Sequence, residues 1–272
     1  MNVCVIITAA GRSTRYSDGP AGGGVDKLAQ DLGGRSVLLR SVELFTKREE
    51  VRSIIVAGPP DELDDFRAKH GPALGFHGAR IVAGGREHRW QTVRNALNDP
   101  DGVPAETTHV AVHDAARPGA ANDLLDRVFQ AATKLAAVIP VVPINATVKR
   151  VSDESVDVGG RDDDAIADLI LGEAGKVSVP ARRVVQTIDR TGLVEVQTPQ
   201  VFEINLLRRA YAQANLEGAT DDAELVERLG EPVYTVEGDV RNLKITRPAD
   251  LKLMRAILGV PPPAERPVHK RF

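Results

Sequence analysis

The chain has 272 residues, 42% of them hydrophobic and 27% charged, which suits one sizeable core or a core with a small appended element. A formal net charge of −3 gives no global basic field, so nucleic acid is not an expected partner, and a small anionic ligand needs only a few well-placed cations. Cys4 is the only cysteine, which excludes a disulfide framework and a cysteine-based zinc site; with no secretory leader and no apolar run approaching the ~20 residues of a bilayer span, the expectation is a cytoplasmic protein without a membrane partner.

Residues 3–8, VCVIIT, form a β-branched apolar run without alternation, the pattern of a strand buried on both faces of a parallel sheet. Similar runs recur at 53–58, 79–83, 109–113 and 136–143, and between them 36–47, 62–70, 90–98 and 122–134 carry apolar residues at spacings of three and four. Such alternation predicts a doubly wound α/β sheet. After Pro143 the pattern breaks. Strands are expected at 148–151 and 183–197, and the intervening 152–182, rich in Asp and Gly, reads as an excursion from the sheet, an extended β-arm at about 144–197. Helices at 203–215, 221–229 and 248–258 and strands at 233–237 and 242–245 complete a single domain over 1–258, and the proline-rich, charged 259–272 reads as a disordered tail.

The carboxyl edge of an open α/β sheet is where ligands bind, and two motifs are expected there. TAAGRSTR at 8–15 is followed, across a glycine-rich stretch, by Lys27. Small Ala9, Ala10 and Gly11 let a ligand approach the main-chain N–H groups, with Arg15 and Lys27 supplying positive charge for a polyphosphate; the same residues also suit a plain tight turn with solvated cations beside it. Neither GxxxxGK[ST] nor GxGxxG is present. VHDAARP at 112–118 puts Asp114 and Arg117 at the end of the fourth core strand. Asp114 has the hard oxygens that Mg²⁺ takes, whereas the bland reading is a helix cap paired with Arg117. A third motif, RNLKITRPADL at 241–251, offers Lys244 either as a point charge for a phosphoryl group or as an edge-strand lysine that discourages aggregation.

Taken in order, TAAGRSTR, LGGRSVLLRSVELF, VHDAARP, TIDRTGL, QTPQVF, GATDDA and NLKITRPADL resemble the motifs of the 2-C-methyl-D-erythritol 4-phosphate cytidylyltransferase family, enzymes of the non-mevalonate isoprenoid pathway, over roughly 3–258. The resemblance implies a Rossmann-like three-layer nucleotidyltransferase fold with a mostly parallel sheet and an extended β-arm. It also implies a CTP cradle at Ala9, Ala10 and Gly11, catalytic cations at Arg15, Lys27 and Lys244, cytosine-edge contacts at Gly84, Gly85 and Thr92, and Asp114 beside both magnesium and ribose. Arg117, Thr147, Arg190, Thr198 and Thr220 match positions around the sugar phosphate. In the family the arm bearing TIDR crosses to the other subunit, so a homodimer is implied, with Arg190 completing the partner's site.

Three departures stand out. The run SDGPAGGGVD precedes Lys27, with Asp26 where a proline is common; GGREHRWQTV is one residue longer than usual, which leaves its arginines unassigned; and the arm is long, with an acidic stretch at 162–164 that ordinarily marks a solvated loop. The implied reaction is attack by a substrate phosphate oxygen on the α-phosphorus of CTP with loss of pyrophosphate. A pentitol (ribitol) phosphate cytidylyltransferase shares the cradle and the metal site, and a non-catalytic nucleotide-binding regulatory protein would keep the pocket alone, so acceptor choice and turnover separate the three.

Overall fold

The computed structural model describes residues 1–11, 16, 26–158 and 179–261. Arg15, the acidic 162–164 and residues 262–272 of the expected tail lie outside them. The chain divides into two compact units, Met1–Val142 with Val196–Phe272, and Pro143–Glu195.

Strands and helices alternate first: β1 (Val3–Thr8), α1 (Val37–Glu43), β2 (Val51–Gly58), α2 (Leu63–Phe76), β3 (Ala79–Ala83), α3 (Arg89–Asn98), β4 (His109–Asp114), α4 (Asn122–Ala132) and β5 (Ala137–Pro143). After them come β6 (Val148–Val158), β7 (Val179–Ile188), β8 (Val194–Val196), β9 (Gln200–Glu203), α5 (Ile204–Tyr211), α6 (Asp222–Glu227), β10 (Tyr234–Glu237) and α7 (Pro248–Ile257). Along the central sheet the order is β10-β5-β9-β4-β1-β2-β3. Neighbours pair in parallel except around β9, which is antiparallel to both β4 and β5.

The unbroken apolar runs find their reason in this architecture. Val3, Val5 and Ile7 point into a core made with α1, α2, α4 and α7, while Cys4 and Ile6 point into a second core made with α3, α5 and α6. A strand covered on both faces has no use for alternation. In the separate Pro143–Glu195 unit, β6 and β7 form an antiparallel pair in register from Val148↔Ile188 to Val158↔Val179, with irregularities near Val151.

Several elements differ from their sequence-based bounds. Helix α2 continues past His70 and through Pro72 because Leu74, 1% exposed, anchors its last turn in the core. Residues 183–197 are not one strand: β7 ends at Ile188, a turn closed by Leu193 N–H to Arg190 O intervenes, and β8 follows. Residues 242–245 form no strand, and Gln200–Glu203, unanticipated, does. Just after α7, Gly259 adopts φ +63° and the Val260 N–H bonds the Arg255 carbonyl at 3.0 Å, which folds Val260 back against the core.

Candidate functional site

Thr8 and Asp114 are register partners in adjacent parallel strands, so the segments after β1 and β4 leave the sheet at the same level. A cavity of about 430 Å³ opens there, lined by Ala9, Ala10, Gly11, Lys27, Asp114 and Lys244 among others. Lys27 stands on a one-turn 3₁₀ helix, Lys27–Ala29. Among the described residues, a Cβ on Gly11 would meet nothing within 4 Å.

Asp114 is 6% exposed and surrounded by cations. Its Oδ2 accepts from Lys244 Nζ at 2.9 Å and Arg117 Nε at 3.4 Å, and its Oδ1 from Arg89 Nε at 3.5 Å and the Thr8 hydroxyl at 3.4 Å. Burial pushes the carboxyl up, but Arg89, Lys244 and Arg117 together outweigh it and hold Asp114 well below the usual carboxylate range. Arg89, one of the arginines the sequence left unassigned, is shared: Nη1 donates to Asp222 Oδ2 at 2.6 Å, and the Tyr211 hydroxyl donates to the other Asp222 oxygen. Asp222 is 0% exposed and Tyr211 7%. Burial and then the Asp222 charge push the Tyr211 phenol well above its ordinary value, so it remains a donor.

A second network lies behind Asp114. The Arg117 carbonyl can only accept, so His113 Nε2, 3.0 Å away, carries the proton and Nδ1 is left as an acceptor for the Thr198 hydroxyl at 3.2 Å. Thr198 Oγ1 in turn accepts the Asp114 N–H at 3.1 Å. Arg117 Nη1 donates to Asn242 O at 2.8 Å and Nη2 to Val196 O at 3.4 Å, while Asn242 Nδ2 donates to Thr198 O at 2.8 Å. Lys244 thereby hangs from a segment clamped to the end of β4. Arg117 and Thr198, the two expected beside a sugar phosphate, are both buried in this clamp, where the guanidinium and the hydroxyl hydrogen have the partners just given.

Thr92 lines the cavity, and Gly84 and Gly85 line an adjoining recess with Gln91 and Asn95. Both glycines are dictated by packing. A Cβ on Gly84 would come within 2.7 Å of Ala10 Cβ, and one on Gly85 within 2.4 Å of Gln91 Cβ. The Gly85 N–H donates to Thr92 Oγ1 at 3.0 Å and the Gly84 N–H to Gly58 O at 2.8 Å, while Asn95 Nδ2 holds the Gly84 carbonyl at 2.8 Å. Thr220 is exposed and turned onto Glu224, to which its hydroxyl donates at 3.0 Å. Thr147 and Arg190 belong to the Pro143–Glu195 unit, where both are exposed and Arg190 Nη1 bonds the Asn145 carbonyl.

Among the described residues no three His, Cys, Asp or Glu side chains come together as a metal site. Asp114, set among the cations of the cavity, offers a hard anionic oxygen, and with Glu87 as the other carboxylate on the lining among the described residues this is a donor set that fits Mg²⁺ only where phosphate oxygens complete the shell. None of the helices among the described residues is long and apolar enough to cross a membrane. Arg89, Asp222 and Tyr211 escape sequence reasoning because 133 residues separate the first pair; the buried acid following Asp221 in GATDDA is the one local hint.

A family profile described as 2-C-methyl-D-erythritol 4-phosphate cytidylyltransferase (IspD) matches residues 3–169 and 161–260. The 2-C-methyl-D-erythritol 4-phosphate cytidylyltransferase of Frankia casuarinae is 39% identical over 264 residues, 97% of this chain and 84% of that protein. The bifunctional enzyme IspD/IspF of Solidesulfovibrio magneticus is 35% identical over 271 residues, and there the chain, matched over 97% of its own length, spans 59% of its relative. Among solved structures, the 2-C-methyl-D-erythritol 4-phosphate cytidylyltransferase of Thermus thermophilus superposes with a TM-score of 0.65 at 30% identity, covering 96% of this chain and 100% of that one.

Proposed function

Because the chain belongs to the 2-C-methyl-D-erythritol 4-phosphate cytidylyltransferase family, we propose that its strand-end cavity transfers a cytidylyl group from CTP to 2-C-methyl-D-erythritol 4-phosphate. The products are 4-diphosphocytidyl-2-C-methyl-D-erythritol and pyrophosphate, in the non-mevalonate isoprenoid pathway. The observation that carries the reading is the meeting, in one cavity, of Lys27 with the Asp114–Lys244 pair. A triphosphate needs cations around the reacting phosphorus, where charge develops.

A phosphate oxygen of the acceptor attacks the α-phosphorus in line, the bond to the bridging oxygen breaks, and the pair leaves with pyrophosphate. The acceptor monoester is already ionised near neutrality, so catalysis rests on positioning and charge neutralisation. Lys27 and Lys244 neutralise the phosphates, Ala9 to Gly11 border the triphosphate, and Arg89 keeps the Asp114 charge in place. On the base side the Gly84 and Gly85 N–H groups are already committed, which leaves carbonyl lone pairs, beyond the one on Gly84 that takes Asn95 Nδ2, and the Thr92 hydroxyl hydrogen. Acceptors suit the exocyclic amine of cytosine. Magnesium belongs to the proposal: Asp114 would touch it and the nucleotide's phosphates would supply the rest of its shell, where it neutralises charge on the nonbridging oxygens.

The uncovered valines of β6 and β7, Val156 at 66% and Val158 at 58% exposure among them, favour a homodimer built through this hairpin, with Arg190 reaching the partner's site. Pyrophosphate release tests the whole reading when methylerythritol phosphate and ribitol phosphate are run in parallel with CTP and magnesium. Methylerythritol phosphate is the expected acceptor, and Lys27→Ala and Lys244→Ala should each lower turnover roughly a hundredfold. A preference for ribitol phosphate, binding without turnover, or full activity in both variants would reject it.

A further inference from the structure

Lys27 rides on a turn of only three residues, whose own backbone bonds are long: Ala29 N–H to Asp26 O at 3.2 Å and Gln30 N–H to Lys27 O at 3.3 Å. So short a 3₁₀ turn needs outside support. Asp26 supplies it. Its Oδ1 accepts the Leu28 N–H at 2.9 Å, capping the turn, and its Oδ2 accepts from Lys69 Nζ at 2.8 Å. Its backbone carbonyl also takes the Gln30 side-chain amide at 3.2 Å.

The anchor on the far side is rigid. Lys69 belongs to α2, which is pinned in the core by Phe66 and Leu74, and the neighbouring His70, 6% exposed, brings Nε2 to 3.8 Å from the same Asp26 oxygen. Burial pushes the Asp26 carboxyl up, but His70, Lys69 and the Leu28 N–H outweigh it, so the group stays charged throughout the neutral range. Asp26 has φ −68°, the value a proline imposes through its ring. In this chain, where the family commonly has proline, side-chain bonds do that holding.

We infer that Asp26 is a positioning residue for Lys27: its carboxylate caps the turn that carries Lys27 and ties that turn to Lys69 on α2, which fixes where the lysine charge meets a triphosphate. A half-exposed ion pair such as Asp26–Lys69, with side chains 39% and 51% exposed, contributes little to global stability. Its effect is therefore local and kinetic. The inference rests on the reading of Lys27 as a triphosphate cation, and the test separates the two.

Steady-state pyrophosphate release is measured with CTP and with acceptor varied in turn, for Asp26→Ala, Asp26→Asn, Lys69→Met and Lys27→Ala, and for Lys27→Ala combined with each of the first and third. Asp26→Ala should lower kcat/KM for CTP roughly tenfold, as expected for a displaced charge, with the acceptor KM unchanged. Asp26→Asn keeps a capping oxygen and should recover part of that loss. In the Lys27→Ala background neither Asp26→Ala nor Lys69→Met should cost anything more. Undiminished kcat/KM in Asp26→Ala, or the same loss in both backgrounds, overturns the inference while leaving the function standing. Full turnover in Lys27→Ala instead removes the reading beneath it. Should Asp26→Ala fail to fold, Lys69→Met alone decides by the same comparison between backgrounds.

Discussion

Arg89 is divided between two carboxylates, one in the cavity wall and one fully buried, and that division sets what each can do. Asp222, with no exposure, holds Nη1 at 2.6 Å, so the guanidinium reaches Asp114 only through Nε at 3.5 Å. Lys244 at 2.9 Å is the closer partner of Asp114. Neutralising Asp222 would free Arg89 to close on Asp114 and compete with Lys244 and with any metal. Asp222→Asn should therefore lower kcat/KM for CTP roughly tenfold and, by breaking the buried Arg89–Asp222 pair, reduce stability by about 3 kcal/mol. Pyrophosphate release and urea midpoints check both. Tyr211→Phe removes one hydrogen bond to Asp222 and should cost only about 1 kcal/mol. Unchanged kinetics in Asp222→Asn would mean that Arg89 takes its position from elsewhere.

At the scale of elements, β1 to β5 are legible in the sequence because burial on both faces leaves unbroken β-branched runs. β9 is not, since its four residues include Gln200, whose side chain is drawn away to Asp221 and the Ala223 N–H. Residues 242–245 look like a strand, yet Asn242 turns inward to Thr198 O and Ile245 N–H finds the single carbonyl of Ala116 at 2.8 Å in place of a ladder. The site's edge was readable for the same reason as the strands, whereas the clamp through Arg117, Thr198 and Asn242 depends on pairings across 44 to 125 residues, from Asn242 to Thr198 up to Arg117 to Asn242. That clamp turns on His113, the penultimate residue of β4. Burial pushes His113 down to about 4 from 6.5, against the pull of the Asp114 charge. The folded value lies below the unfolded one, so the unfolded chain takes up the proton first and acid favours unfolding. This contribution is complete above about pH 6.5 and is lost between there and pH 4, on the order of 3 kcal/mol in all. Urea midpoints at neutral pH and at pH 5 should show about 2 kcal/mol of that loss in the parent and a shallower slope in His113→Gln, which retains a donor for the Arg117 carbonyl. Equal slopes would remove His113 as the cause.

For the whole molecule, the question is what covers the β6–β7 hairpin. Val158 and Val179 are cross-strand partners, as are Val156 and Ala181, so these side chains share one face. Their exposures of 58%, 54% and 66% for Val158, Val179 and Val156 leave that face apolar and open. A two-stranded sheet is marginal in water without such cover, and in the proposed homodimer a second copy of the chain would supply it. Light scattering should give twice the chain mass, and Val156→Asp with Val158→Asp should return it to a single chain. Mixing then asks where Arg190 acts. Arg190→Ala and Lys244→Ala are each expected to be nearly inactive alone. If Arg190 serves the partner's site, a mixed dimer holds one site with both groups intact, and random exchange of equal amounts should restore about a quarter of parental turnover. If Arg190 serves its own subunit, both sites of every mixed dimer carry a lesion, and the mixture stays as inactive as its parts.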